Sequence, residues 1–160
     1  MKKIILLVCL FLSAATCFTQ QVKKNGVIYI NHPYIEAVNA GMDAYLKKDN
    51  AAIMKIYSDT CKYWVSGLDK PVSIKEAIKM WNSDFDYYDS VIVKPNGYPD
   101  YLSYIKDDSQ IVQSWWIWNG RSKKTGEKLE IYFVQFDWFN KGGKITFEAI
   151  YGDFSKMVKE

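Results

Sequence analysis

Hydrophobic positions recur along this chain with two different periods, and the change of period divides it. In "NHPYIEAVNAGMDAYLKKDN", Tyr34, Ile35, Val38, Met42, Tyr45 and Leu46 fall at helical spacing on one face. Asn31 is of a type that caps helices, and Pro33 suits a first turn. Asp49 and Asn50 break the stripe, "AAIMKIY" makes a short second helix, and a brief strand is expected around "CKYWVSG". The third helix has the clearest start. Ser73 and Glu76 stand at capping-box spacing, and Ile74, Ala77, Ile78, Trp81 and Phe85 then line one face. "VKPNGYPD" reads as a loop, because Pro95, Gly97 and Pro99 do not all fit a central strand, and it is a candidate cover for a pocket. Beyond it the period becomes two. "YLSYI", "QIVQSWWIWNG", "KLEIYFVQFDWF" and "KITFEAIYGDF" are strands joined by the turn signals "KDDS", "SKKTGE" and "NKGG". Three helices followed by an antiparallel meander make an α+β domain.

The strand "QSWWIWNG" sets the main constraint on packing. Alternation puts Trp116 and Trp118 on one face and Trp115 and Ile117 on the other. A tryptophan carries roughly 150–250 Å² of surface. At about 25 cal/mol per Å², leaving one wet forfeits several kcal/mol, so both faces of the sheet are expected to be covered.

Composition narrows the setting. The chain has 160 residues, 49% of them hydrophobic, enough for one well-buried domain. Residues 1–20 read as a signal peptide: Lys2 and Lys3, an apolar run at 4–12, then Ser13, Ala14 and Ala15. That run is short for a permanent membrane span, so export to the periplasm or beyond is expected. "SAATC" ending at Cys17 also resembles a bacterial lipoprotein cleavage site, with Ala14 where such sites favour leucine, which leaves a lipid anchor on Cys17 open. Residues 21–30 form a polar leader and 31–160 the single domain. Cys9 and Cys17 fall in the leader region, so Cys61 is left alone and no internal disulfide is available. The formal charge is +3, of which Lys2 and Lys3 supply two, leaving +1. The remaining lysine pairs, such as Lys47–Lys48 and Lys123–Lys124, are scattered, and nucleic acid is not an expected partner.

The order helix, short helix, strand, capped helix, long antiparallel strands resembles the nuclear transport factor 2-like superfamily, particularly its SnoaL-like branch. The resemblance rests on "AYLKKDNAAIMKIYSD", "SIKEAIKMW", "FDWFNKGGKI" and "ITFEAIYGDF", spread over residues 34–154. It implies a strongly curved antiparallel sheet with the three helices packed in its concave face, forming a cone with an open mouth. It also implies pairing of the outer sheet face with a second subunit. One face of the tryptophan strand would then line the cone and the other would meet a twin. Against relatives with epoxide-hydrolase activity, Trp116 and Trp118 fall where those enzymes hold a pocket arginine and aspartate. Ile150 falls at their second aspartate, and Glu148 at a pocket tryptophan, so that acid–arginine–acid machinery is missing. On the last strand the resemblance turns Glu148 inward, whereas the more apolar set Ile145, Phe147, Ala149 and Tyr151 would turn it outward.

The candidate pocket residues are Trp64, Trp116, Trp118, Asp137, Glu148 and Ile150. A Glu148 facing the cone would be desolvated, its pKa raised, and able to shuttle a proton, as buried carboxyls do in ketosteroid isomerase, a member of the superfamily. The plainer reading pairs it with a lysine or Arg121. Asp137 either reaches a ligand at the cone mouth or bonds backbone near a turn. Tyr34, Tyr45, Tyr57, Tyr63 and Tyr87 are each either a hydroxyl donor to a ligand carbonyl or ordinary wall. Asp84, Asp86 and Asp89 read as a solvated turn after a helix ending by Phe85. His32 is the only histidine and lies at a helix start, whereas dehydrating relatives use pocket histidines on strands. With Cys61 the only cysteine beyond the leader, no transition-metal site and no cofactor is expected. Three functions fit: binding a small, mainly apolar, ring-containing molecule; isomerase, dehydratase or cyclase chemistry through Glu148; or a dimeric assembly domain.

Overall fold

The computed structural model describes residues 23–157. The signal peptide and the Cys17 anchor concern residues outside that range. The elements in chain order are β1 (Gly26–Tyr29), α1 (Pro33–Leu46), α2 (Asn50–Ile56), β2 (Tyr57–Val65), β3 (Val72–Ser73), α3 (Ile74–Tyr87), β4 (Tyr88–Pro95), β5 (Asp100–Tyr104), β6 (Gln110–Ser122), β7 (Lys128–Phe139) and β8 (Ile145–Gly152). This is an α+β fold in which the helices pack into the concave face of one curved sheet.

Local chemistry explains the helix ends. Ser73 and Glu76 form the expected capping box: Ser73 N–H donates to Glu76 Oε2 (2.8 Å) and Glu76 N–H to Ser73 Oγ (3.3 Å). At α1 the cap is His32 rather than Asn31. Its Nδ1 accepts from Tyr34 N–H at 3.2 Å, while its ring stacks on Tyr101 with centroids 3.8 Å apart. A ring that both caps and packs displaces the smaller asparagine. Helix α3 runs to Tyr87, two residues past Phe85, and passes directly into a strand.

The strands run in the order β1-β5-β6-β7-β8-β2-β3, with β4 also on β6. All the pairs are antiparallel except β2–β8, so the sheet is mixed rather than wholly antiparallel. Strand β6, 13 residues long, pairs with β7 along one edge. Its other edge is shared by β5 over Gln110–Gln113 and β4 over Trp116–Ser122. This explains two differences from the sequence reading. The first half of "VKPNGYPD" is the end of β4, since Pro95 closes the strand and only the following turn is irregular. The stretch 26–29, read as leader, pairs with β5.

The core lies between the helices and the inward rows of β6, β7 and β8. Ile35, Val38, Ile53, Ile74 and Ala77 meet Val112, Trp116, Phe139 and Ile145 there. On β6 the even positions from Val112 to Gly120 point inward, Trp116 and Trp118 among them, while Trp115 and Ile117 lie on the convex face. Gly120 is where the chain makes room for this packing. A Cβ there would run into the Trp118 indole, and the contact is with a rigid ring rather than a flexible tail. Gly120→Ala is therefore expected to destabilise the fold by about 1–3 kcal/mol, the usual cost of overpacking. It should also change the near-ultraviolet circular dichroism. An unchanged melting temperature and spectrum would refute this account of Gly120.

Candidate functional site

Cross-strand register assembles the polar part of the concave face. Asp137 on β7 stands opposite Glu148 on β8, which stands beside Tyr63 on β2. The next row places Ser114, Gln135, Ile150 and Val65 side by side. Glu148 points inward because β8 does not alternate evenly. The pairing shifts between Trp138 and Phe139: Phe139 faces Ile145 and Trp138 faces Phe147, so Thr146 is an extra residue. Ile145 thereby joins the core while Phe147, two positions on, lies on the convex side with Ala149 and Tyr151. The apolar set that would have turned Glu148 outward is split between the two faces.

These rows border a cavity of about 400 Å³ enclosed by α1, α3 and the sheet. Of the residues anticipated from the sequence, Trp118, Glu148 and Ile150 line it. Asp137 is 0% exposed and sits one strand over from Glu148, forming none of the wall. Trp116 belongs to the core, its indole N–H donating to Ser114 Oγ at 2.8 Å. Trp64 alternates onto the convex face, where it packs against Tyr151. Of the segment "VKPNGYPD", only Val93 borders the cavity. Phe154 and Met157, after β8, close over part of it instead.

Two hydrogen-bonded carboxyl clusters face this space. In the first, Glu148 is 2% exposed and accepts a short hydrogen bond from the Tyr57 hydroxyl. Asp137 Oδ2 accepts from Gln135 Nε2 at 2.9 Å. Among the described residues, Asp137 Oδ1 is the only buried side-chain nitrogen or oxygen without a partner when both carboxyls are ionised. A proton on Asp137, donated to Glu148, removes that deficit, and the two carboxyls lie within hydrogen-bonding reach. Burial, and then the charge of Glu148, push the Asp137 carboxyl far above the usual range. Burial raises Glu148 to about 7, opposed by the hydrogen bonds from Tyr57 and Asp137. The pair thus titrates as a unit that holds a proton up to neutrality. In the second cluster, Trp118 Nε1 donates to the Tyr45 hydroxyl (2.9 Å), which donates to Asp84 Oδ2 (3.1 Å).

The sequence reading missed the second cluster. Asp84 is not a solvated turn residue but part of the cavity wall. The signal was there, because Ala77, Trp81 and Asp84 fall at i, i+4 and i+7 on the apolar stripe of α3. Asp89, from the same run, forms an exposed two-toothed ion pair with Arg121 (2.9 and 3.0 Å), which therefore does not neutralise Glu148. Cys61 is buried, and burial followed by the charges of Glu148 and Asp137 push its thiol up to about 12, so it is no nucleophile near neutrality. No group of three or more metal-ligating side chains is present among the described residues, and no helix there is long and apolar enough to cross a membrane.

A three-helix, curved-sheet cone with a buried acid at its centre defines an architectural class, and solved structures identify it. The chain has the nuclear transport factor 2-like fold. It is similar to IdmH, a candidate polyketide cyclase from Streptomyces antibioticus (12% identity, TM-score 0.64, 79% of this chain and 96% of that one). It is also similar to an NTF2-like protein of unknown function from Burkholderia pseudomallei (11%, 0.63, 81% and 97%). A third is SalBIII, an epoxide hydrolase/cyclase-like enzyme with a role in pyran ring formation in the polyether salinomycin (16%, 0.61, 77% and 92%). No family model matches the sequence, and no curated protein does.

Burial of the acid pair has a sign that can be checked. Both folded-state pKa values are raised, so the folded chain binds more protons than the unfolded one between the ordinary carboxyl range and about 7. Their contribution is greatest below about pH 4 and is lost as pH rises through 7, a fall on the order of a few kcal/mol. Glu148→Gln, which keeps an acceptor for Tyr57, should flatten that fall in thermal denaturation between pH 5 and 8. An equally steep decline in the variant would show that the pair is not its source.

Proposed function

We propose that this chain binds a small, mainly apolar, ring-containing molecule inside the cone. The observation that carries the reading is the cavity itself: about 400 Å³, walled by aromatic and aliphatic side chains and touched by few polar groups. A core built only for stability does not leave such a volume open, since empty space forfeits packing contacts. Trp118 fixes one wall, Ile150 another, and Glu148 orients the guest. The solved relatives named for cyclase chemistry on ring systems fit this reading. Ile150→Trp should fill the space and weaken binding of small ring compounds at least tenfold, followed by tryptophan fluorescence. Unchanged binding in a folded variant would place the ligand elsewhere.

The position of Glu148 favours a second reading, in which the domain is an isomerase- or cyclase-type enzyme. A carboxyl that titrates near neutrality, bonded to Tyr57 and backed by Asp137, suits proton removal and return at one carbon of the guest. Deuterium exchange into a cyclic ketone such as 2-indanone tests it. Glu148→Gln should slow any exchange the protein catalyses by about 10²–10⁴-fold. Equal exchange in both forms would leave binding alone.

The domain is further proposed to act outside the cytoplasm, from the charged and apolar leader, and as a homodimer. The convex face supports pairing. Trp64 and Tyr151 (5.0 Å between centroids), Phe136 and Tyr151 (5.9 Å), Phe136 and Trp138 (6.1 Å), and Trp138 and Phe147 (5.2 Å) form one continuous aromatic patch, with Tyr151 49% exposed. Sedimentation should give a dimer at micromolar concentration and a monomer for Phe136→Asp combined with Trp138→Asp. A wild-type monomer would end the proposal.

A further inference from the structure

The cavity's polar groups are biased in a way that restricts the ligand's charge. Among its described lining residues are two carboxyls, Asp84 and Glu148, and no lysine, arginine or histidine. The donors nearest these carboxyls are already committed. The Tyr57 proton goes to Glu148, the Tyr45 proton to Asp84, and the Trp118 N–H to Tyr45. What remains for a guest is acceptor-rich, and the walls between are aromatic faces: Tyr45, Tyr57, Tyr63, Trp81, Trp118 and Phe133. Such faces attract cations through their quadrupoles and repel anions. After the cost of burial, the field of the same acids hinders ionisation of Tyr57 and Tyr63 on β2 and Tyr45 on α1. A negative potential that opposes phenolate formation favours a positive guest.

We infer that the ligand carries its polar group as a protonated or quaternary amine, held between the aromatic walls and the carboxyls of Glu148 and Asp84. This rests on the binding reading above and gives that ligand a charge class. A carboxylate or phosphate ester would enter against two acids with no counter-charge on the walls. A neutral ketone would find the nearest hydroxyls turned away. An ammonium bearing a ring meets both needs at once: its charge faces the acids and its carbon surface the rings.

The test uses the full chain and three probes of nearly one shape: benzyltrimethylammonium, its neutral carbon isostere neopentylbenzene, and phenylacetate. Quenching of the lining tryptophans Trp81 and Trp118 reports occupancy. At pH 8 the cation should bind at least tenfold more tightly than the isostere, with phenylacetate weakest. The quaternary probe does not titrate, so any pH dependence belongs to the protein. The groups facing Glu148 are Tyr57, Cys61 and Tyr63 on β2, Asp137 and Gln135 on β7, and Asp84 and Tyr45 across the cavity. Of these groups and Glu148, it is Glu148 whose pKa is placed near neutrality, so the cation's advantage should shrink several-fold between pH 8 and 5.5. Glu148→Gln and Asp84→Asn should each reduce the advantage while leaving neopentylbenzene within twofold. If the isostere binds as well as the cation, or phenylacetate better, the charge inference is overturned and the cavity reading stands. If no probe binds at millimolar concentration, both fall.

Discussion

One inserted residue decides the character of the concave face. Without the shift at Thr146, Glu148 would share the convex side with Trp138 and the cone would be lined at that row by apolar side chains alone. The shift turns Glu148 toward Asp137, Tyr63 and Tyr57, and once there it must be satisfied by hydrogen bonds, because no cation reaches it. Everything polar in the first cluster follows from that demand. Tyr57 sits at the start of β2, immediately after α2, with its hydroxyl on Glu148. Gln135 holds Asp137 from two residues back on the same strand. A buried acid pair of this kind costs stability near neutrality, and such a cost is common where side chains serve a ligand rather than the core.

The two-sided aromatic sheet follows from the same strand geometry. Trp116 and Trp118 lie inward by alternation, but only Trp118 meets the cavity; Trp116, opposite Phe133, is absorbed by the core. The convex face carries Phe136, Trp138, Phe147 and Tyr151 at neighbouring positions of β7 and β8. Strand β6 is long enough to be served by β5 and β4 in turn along one edge, which lets the sheet bend around the helices without leaving half of that edge open.

Much of this was legible in the sequence, for identifiable reasons. The capping box of α3 is a local device, readable from Ser73 and Glu76 alone. The inward face of β6 followed from strict alternation. The inward Glu148 came from the resemblance and ran against the apolar pattern, because a bulge is invisible to a period-two reading. Strand β4 was missed where helix α3 runs into it with no turn residue between Tyr87 and Tyr88. Trp64 was placed in the pocket for its size, whereas its face is decided by the parallel pairing of β2 with β8, a long-range fact. His32 replaced Asn31 as a cap because its ring also had Tyr101 to stack on, again a tertiary contact.

The two acid clusters make different demands on the same cavity. Asp137 and Glu148 are neighbours on adjacent strands, and sharing a proton is the cheapest way to bury two carboxyls side by side. Asp84 comes from a helix, and its contact with Tyr45 links α3 to α1 and, through Trp118, to the sheet. The first cluster therefore responds to protons and the second ties three walls together. A guest that touched Glu148 would shift the balance of the shared proton, whereas one that touched Asp84 would pull on the contact between helices and sheet. The cavity is built so that occupancy at either end is felt in a different physical quantity: charge state at one, packing of the helices at the other.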